Sequence, residues 1–328
     1  MQYGMNMMNG GGGTGGTSGP MWDPTTWEDI RSAMRAVVEQ TTQMRKVLPI
    51  VPINPDATTT LIDQTIIDGS SVSVASAEVR SIGELFAEFK LNSEQVGRES
   101  THHEGRSAAV QLTRMMAEAE DQKIIWANAP LAAPVKERGD TFRYAGSLLG
   151  SYELDKPTDA TAQPIEDDEP EWGRNMNRAA TSASAILNGR GFYSPFKLVL
   201  SPGVLADANV PLDGTFRQPL AWLPADISAT GPVRALSGKI QRETCGDSVG
   251  DLGLLIATGA YAIDLVMPFE DYQLTFQRID ADGQHVFRIT HRFGVRLKRN
   301  GVSTQTDDGR TTLTAGDSPI ATIAFLLD

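Results

Sequence analysis

The residues best suited to chemistry are few, and their spacing limits what they could do. His102 and His103 are adjacent at the start of a predicted helix. His285 and His291, the other two of the four histidines, share one face of a predicted strand. Six residues apart, they stand roughly 20 Å from each other, too far to bind one metal ion. All four are expected to be satisfied core or interface imidazoles. Cys245 is the single cysteine, which excludes an internal disulfide and a cysteine-rich zinc site. The glycine run between Gly10 and Gly19 lacks the Gly-Lys-Ser/Thr of a phosphate-cradling loop and follows no strand. No G-x-S-x-G nucleophile elbow occurs. The paired carboxylates Asp167 and Asp168 lie in a proline-bounded stretch with no apolar pocket to raise a pKa. Arg288, Arg292, Arg296 and Lys298 make a basic stripe. It could meet nucleic acid or lipid, or be a solvated strand face or an inter-subunit salt-bridge surface. No catalytic, cofactor-binding or metal-ligating residue is assigned, no cofactor is expected, and the chain does not read as an enzyme.

Composition narrows the class further. The chain has 328 residues, 40% hydrophobic and 21% charged, enough for one large core or two modest ones. Acidic residues outnumber basic ones by 41 to 29, so phosphate neutralisation over the whole surface is not on offer. No apolar run approaches the ~20 residues of a membrane span. No basic segment leads into an apolar one at the start, so no secretory signal is expected.

The elements that would carry these residues are legible in patches. Residues 1–20 form a Gly/Met-rich arm, unable to build a core of its own. Residues 25–46 read as a helix with Thr25 and Glu28 as a capping box and Trp27, Ile30, Met34, Val37, Val38 and Met44 as its stripe. Three prolines, Pro49, Pro52 and Pro55, then favour extended chain. Residues 58–91 read as a long hairpin turning at Asp68-Gly69, its return limb alternating through Leu85, Ala87, Phe89 and Leu91. A ribbon this long cannot cover its own faces and must lie on something else.

Residues 101–128 read as the longest helix, ended by Pro130 and Pro134. Thr101 and Glu104 are read as its capping box. Ala108, Leu112, Met115, Met116, Ala119 and Trp126 form its apolar stripe, and Glu118, Glu120 and Asp121 are placed on the outer face. An irregular stretch ends in the acidic patch 164–170. A small α/β or α+β unit follows: a helix at 172–188, a buried strand at Phe196–Leu200, a short helix opened by Ser201-Pro202, and strands at 252–259 and 261–267. Tyr272, Leu274 and Phe276 begin a strand. A turn at 280–283 leads to a second in which His285, Phe287, Ile289, His291, Phe293, Val295 and Leu297 face inward. A final apolar strand, IATIAFLL, closes the chain. The class is α+β. An arm, an over-long hairpin and a spine-like helix all lack partners within one copy, which describes a building block of a symmetric assembly.

These stretches resemble the Hong Kong 97 phage-type capsid fold, shared by tailed-phage major capsid proteins and encapsulins. TTWEDIRSAMRAVVEQ resembles the encapsulin N-terminal helix. IGELFAEFKLN with AAVQLTRMMAEAEDQKIIWAN resembles the extended-loop limb and spine helix, including Glu120-Asp121. SPFKLVLSPGVL resembles the centre of the axial domain. ATGAYAIDLVMPFEDYQLTF and VFRITHRFGVRLK resemble the return into the peripheral sheet.

The resemblance implies an N-terminal arm at 1–24, an N-terminal helix and extended segment at 25–55, and an extended loop at 56–92. It implies a peripheral domain at 93–170 and 268–328, and an axial domain at 171–267. It also implies a homo-oligomer of pentamers and hexamers in an icosahedral shell. Scaffold, portal or decoration proteins would be partners, packaged dsDNA would be touched only non-specifically, and no membrane is involved. The arm, the tail after Lys298 and an enlarged segment near 205–250 depart from the encapsulin pattern. They favour a tailed-phage major capsid protein, located in the virion and assembled in the host cytoplasm. The alternative is an encapsulin shell around an enzyme cargo, which predicts a pocket under helix 25–46 for a short apolar peptide. An enzyme would need a pocket holding a perturbed acid–base pair.

Overall fold

A computed structural model describes residues 22–68, 71–127, 129–139, 141–144, 148, 172–189, 192–211, 217–237, 251–259, 263–297, 299–302, 304–305, 311–312 and 322–327. The expected arm, the acidic patch at 164–170, Cys245 and Lys298 fall outside these residues. The first part of the chain comprises α1 (Pro24–Thr41), α2 (Met44–Val47), β1 (Ile50–Pro52), β2 (Thr59–Asp68), β3 (Ser71–Ser81) and β4 (Gly83–Leu91). Then come α3 (Ser93–Gly97), α4 (Glu99–His102), α5 (Glu104–Ile125), β5 (Lys136–Glu137) and a 3-10 turn at Thr141–Tyr144. The second part comprises α6 (Trp172–Gly189), β6 (Phe196–Leu200), α7 (Pro202–Ala208), β7 (Ile227–Thr230) and β8 (Asp251–Ala257). The last part comprises β9 (Ile263–Met267), β10 (Gln273–Ile279), β11 (His285–Leu297), β12 (Arg299–Val302), β13 (Thr304–Gln305), β14 (Thr311–Thr312) and β15 (Thr322–Leu327).

A six-stranded sheet forms the larger layer, in the order β1-β9-β11-β4-β5 with β10 also on β11. The 13-residue β11 is its backbone. Its first part runs antiparallel to β4 from His285↔Leu91 to Phe293↔Gly83, and its end pairs with β9. The expected inward alternation holds: Phe287, Ile289, His291, Phe293 and Val295 are buried. So are Leu85, Ala87, Phe89 and Leu91 on β4. The stripes of α1 (Ile30, Met34, Val38) and α5 (Leu112, Met116, Ala119) pack with them in one core.

A second sheet has the order β15-β8-β6-β7. One face packs on α6 and α7 through Leu198, Leu200, Leu255 and Ala257. Val199, Leu254 and Ile256, alternating with these, join the larger core. A sheet buried on both faces explains why these strands are continuous apolar runs. Ser201 caps α7 as expected, its Oγ accepting from the Val204 N–H at 3.3 Å.

The structure corrects several local readings. The hairpin is shorter than 58–91: β2 and β3 pair from Thr59↔Ser81 to Asp68↔Ser71, and β4 belongs to the core sheet. The ribbon is also three-stranded, because β12 runs parallel to β2. The strand read at 261–267 is β9, placed beside β11 rather than beside β8, and the C-terminal β15 returns to pair with β8. Neither capping box forms. Asp23 caps α1 by accepting from the Thr26 N–H at 2.6 Å. Thr101 lies inside α4, and α5 begins after His103, which has φ 54°. The buried Glu99 carboxylate caps α5, accepting from Gly105 and Arg106 N–H at 2.6 and 2.8 Å. This side chain satisfies two of the orphan donors of the first turn.

Candidate functional site

Glu120 and Asp121 sit in the second half of α5, and both are buried. This corrects the outer-face placement of the two, while Glu118 is partly exposed. Helical geometry gives the reason. Glu120 lies four residues after Met116 and eight after Leu112, so it continues the apolar stripe that packs inward.

The interior receives its charge with partners on three other elements. Arg45 of α2 grips Glu120 in a two-pronged ion pair, Nε to Oε1 at 2.7 Å and Nη2 to Oε2 at 2.8 Å. The Tyr272 hydroxyl, just before β10, donates to Oε2 at 2.7 Å. His291 of β11 places Nε2 2.9 Å from Arg45 Nη2 and 3.3 Å from Glu120 Oε2, and stacks on Tyr272 with ring centroids 4.4 Å apart. Arg45 also donates through Nη1 to the Glu270 carbonyl at 2.6 Å. Asp121 faces the break between α1 and α2, accepting from the Gln43 and Met44 N–H at 2.9 and 3.1 Å. Two consecutive carboxylates thus pin the bent N-terminal helix pair to the spine.

The electrostatics agree with a structural hub. Burial alone would raise the Glu120 pKa, but the Arg45 charge and its hydrogen bonds outweigh it and hold the carboxyl below its ordinary range. Burial opposes the Arg45 charge as well, and Glu120 overcomes it. Burial pushes His291 down to about 3, so its imidazole is neutral at neutral pH. Arg45 can only donate, so His291 Nε2 accepts from it. Nδ1 then carries the proton, and it has no hydrogen-bond partner among the described residues. Burial, with Glu120 adding to it, raises Asp121 to about 7 against the lowering by the two backbone N–H groups. A perturbed acid and imidazole therefore coexist, but the side chains of Glu120 and His291 are 0% exposed. No substrate atom can reach them from solvent, and their chemistry is cohesion.

The basic stripe is also occupied within the chain. Arg288 pairs with Glu88, directly opposite on β4, with Nε to Oε1 at 2.9 Å. Arg296 makes a two-pronged pair with the buried Asp264 at 2.6 and 2.7 Å. Arg292 donates to the carbonyls of Pro55, at 3.1 Å, and Ala57. Arg296 Nη1 reaches the Leu61 carbonyl at 3.3 Å. These three arginines serve the root of the ribbon and its sheet. Leu61 and Val79 pair across the ribbon and are 53% and 62% exposed.

The remaining sequence candidates are dispersed. His285 touches Ser93 Oγ at 3.3 Å, and His102 bonds Thr101. Among the described residues no group of three or more His, Cys, Asp or Glu is arranged to hold a metal ion. No helix among them is long and apolar enough to cross a membrane. A depression of about 230 Å³ runs between α1 and the start of β10. Glu28, Arg31, Arg35 and Asp271 line it, beside Met34, Val38 and Tyr272. Arg35 already pairs with Glu28 and lies 3.9 Å from Asp271. Arg45, Tyr272 and His291 escape a sequence reading as hub members because nothing local marks a partner 75 to 246 residues away.

Similar architectures recur among solved structures. A virus-like particle from Pyrococcus furiosus matches with TM-score 0.55 and 16% identity, covering 91% of this chain and 98% of that one. A Microbacterium phage Oxtober96 structure matches with TM-score 0.53 and 9% identity, covering 88% and 91%. The capsid of Myoviridae phage XM1 matches with TM-score 0.51 and 9% identity, covering 86% and 90%. The chain has the Hong Kong 97-type capsid fold. No family model and no curated protein matches the sequence. The hub fastens α1 and α2 to α5, and the arginines fasten the β2–β3 ribbon to the sheet.

Proposed function

We propose that this chain is the major capsid protein of a tailed bacteriophage, assembling as pentamers and hexamers into an icosahedral head around dsDNA. The observation that carries the reading is the likeness to shell proteins over about nine-tenths of the chain. The ribbon supports it. Its exposed pair Leu61 and Val79 is an apolar contact without cover among the described residues, and a neighbouring subunit would bury it. In this reading α6, α7 and the β15-β8-β6-β7 sheet form the axial unit, and the six-stranded sheet with α5 forms the peripheral unit. The chain's role is geometric, not enzymatic, and the site of action is the virion capsid, built in the host cytoplasm. Scaffold and portal proteins are the partners that such a head requires.

The encapsulin alternative called for an apolar peptide pocket under the first helix. The depression there is lined by four charged side chains, which favours the phage reading. Expression alone and together with scaffold or cargo partners, followed by light scattering on the size-fractionated protein, tests both. Shells that copurify with no cargo protein and close only with a scaffold partner support a phage head. Small uniform shells that retain an enzyme cargo support the alternative, and a monodisperse monomer under all conditions rejects both.

A further inference from the structure

The extended loop is anchored more firmly than a free arm would be. Arg292 meets Ala57, Arg296 meets Leu61, and β12 pairs with β2 from Arg299↔Gln64 to Val302↔Ile67. All of these pairs share the same offset of 235 residues. The strand formed by the end of β11 and β12 therefore runs in step with residues 57–67. Where backbone pairing has not yet begun, two guanidinium groups supply the donors. Arg296 is itself fixed by Asp264, whose side chain is 0% exposed. On the return side, the Ile82 N–H donates to the Thr58 carbonyl at 2.9 Å, closing the ribbon at its root. Just past the guanidinium contacts the register shifts between Ile62 and Gln64, where Ser76 and Ala77 of β3 oppose the single residue Asp63 of β2. A bulge of this kind bends a ribbon.

We propose that Arg292 and Arg296 are positioning residues for shell assembly. They hold the loop root rigid, set the angle at which the ribbon leaves the subunit, and confine its bending to the bulge of β3 opposite Asp63. This rests on the capsid reading and adds to it the residues that govern loop direction. Charged donors on backbone carbonyls are stronger than neutral ones. Arg292→Gln cannot span two carbonyls, whereas Arg292→Lys keeps the charge and reaches only one.

The test uses the full chain with two readouts: amide hydrogen exchange at residues 59–62 and 79–82, and shell diameter by microscopy. In Arg292→Gln and Arg296→Gln, exchange at the root should rise about tenfold or more, while α5 stays protected. Their shells should be absent or heterogeneous in diameter. Arg292→Lys should fall between these variants and wild type on both readouts, and serves where the glutamine variants do not fold. Faster exchange with shells of wild-type diameter overturns the inference, as does unchanged exchange in the variants. Wild-type protein run alongside separates the two claims. Wild type that forms no shell, alone or with a scaffold partner, rejects the capsid reading, whereas wild-type shells with unaffected variants reject this inference alone.

Discussion

Replacing Glu120 by glutamine removes one charge from the hub while keeping its shape. Arg45 is 10% exposed and Glu120 is 0% exposed, so neither solvent nor salt can stand in for the lost partner. An amide oxygen in the place of Oε2 still accepts from Arg45 Nη2 and the Tyr272 hydroxyl, while the amide nitrogen in the place of Oε1 meets Arg45 Nε donor to donor. The substitution leaves a buried guanidinium whose other nearby carboxylate is Asp121. Breaking one side of a buried pair costs about 3–5 kcal/mol, and the residual acceptor places this change near the lower end, about 3 kcal/mol. For a chain of this length that corresponds to a fall of roughly 5 °C in melting temperature. Calorimetry on dissociated subunits reads it, with the midpoint in urea as a second measure. The double variant Arg45→Met with Glu120→Leu removes both charges and should regain most of the loss. Glu120→Gln melting within about 1 °C of wild type, a small fraction of the expected fall, would refute the claim that this pair is the fastener between α2 and α5.

The same hub sets a pH dependence. Asp121, raised to about 7, binds its proton more tightly folded than unfolded, so its contribution is fully present below about pH 4 and lost as pH rises toward 7. His291, lowered to about 3, contributes the opposite slope, stabilising above about pH 6.5 and lost as pH falls toward 3. The two nearly cancel between, and Asp121→Asn should uncover the His291 slope. Its stability relative to wild type should fall by up to about 1.4 kcal/mol per pH unit on acidification from about pH 6.5 to about 4.5, measured as urea midpoints across that range. Gly83→Ala would drive a methyl group into the buried Phe142 ring, costing about 1–3 kcal/mol; an unchanged melting temperature contradicts that contact. Glu99→Ala removes the cap of α5 and should cost about 1–2 kcal/mol, with faster exchange at Gly105 and Arg106 as its local signature.

Legibility in the sequence followed how local each determinant was. The strand Phe196–Leu200, the Ser201 cap, α6 and the alternation through β10 and β11 depend on neighbours a few residues away, and a period or a cap discloses them. Glu120 and Asp121 defeat the same reasoning because residue type outranks position: their spacing from Leu112 and Met116 already points inward. The capping residues are each misplaced by a few positions, since Asp23 and Glu99 offer better-placed carboxylates than the serviceable-looking Thr25 and Thr101. The arginine stripe is visible as a stripe, but its acceptors at the ribbon root are backbone carbonyls with no sequence signature. Pairing of β12 with β2, and of β15 with β8, joins segments far apart in the chain. Nothing in a local pattern could choose those partners over others.

The central claim is that copies of this chain close into a shell, and imaging the purified full-length protein by negative-stain microscopy tests it most directly. The account predicts round, hollow particles of defined diameter, forming alone or with a scaffold partner. Protein that stays monomeric at high concentration with and without such a partner, its Leu61–Val79 ribbon face protected in the lone subunit, would contradict it.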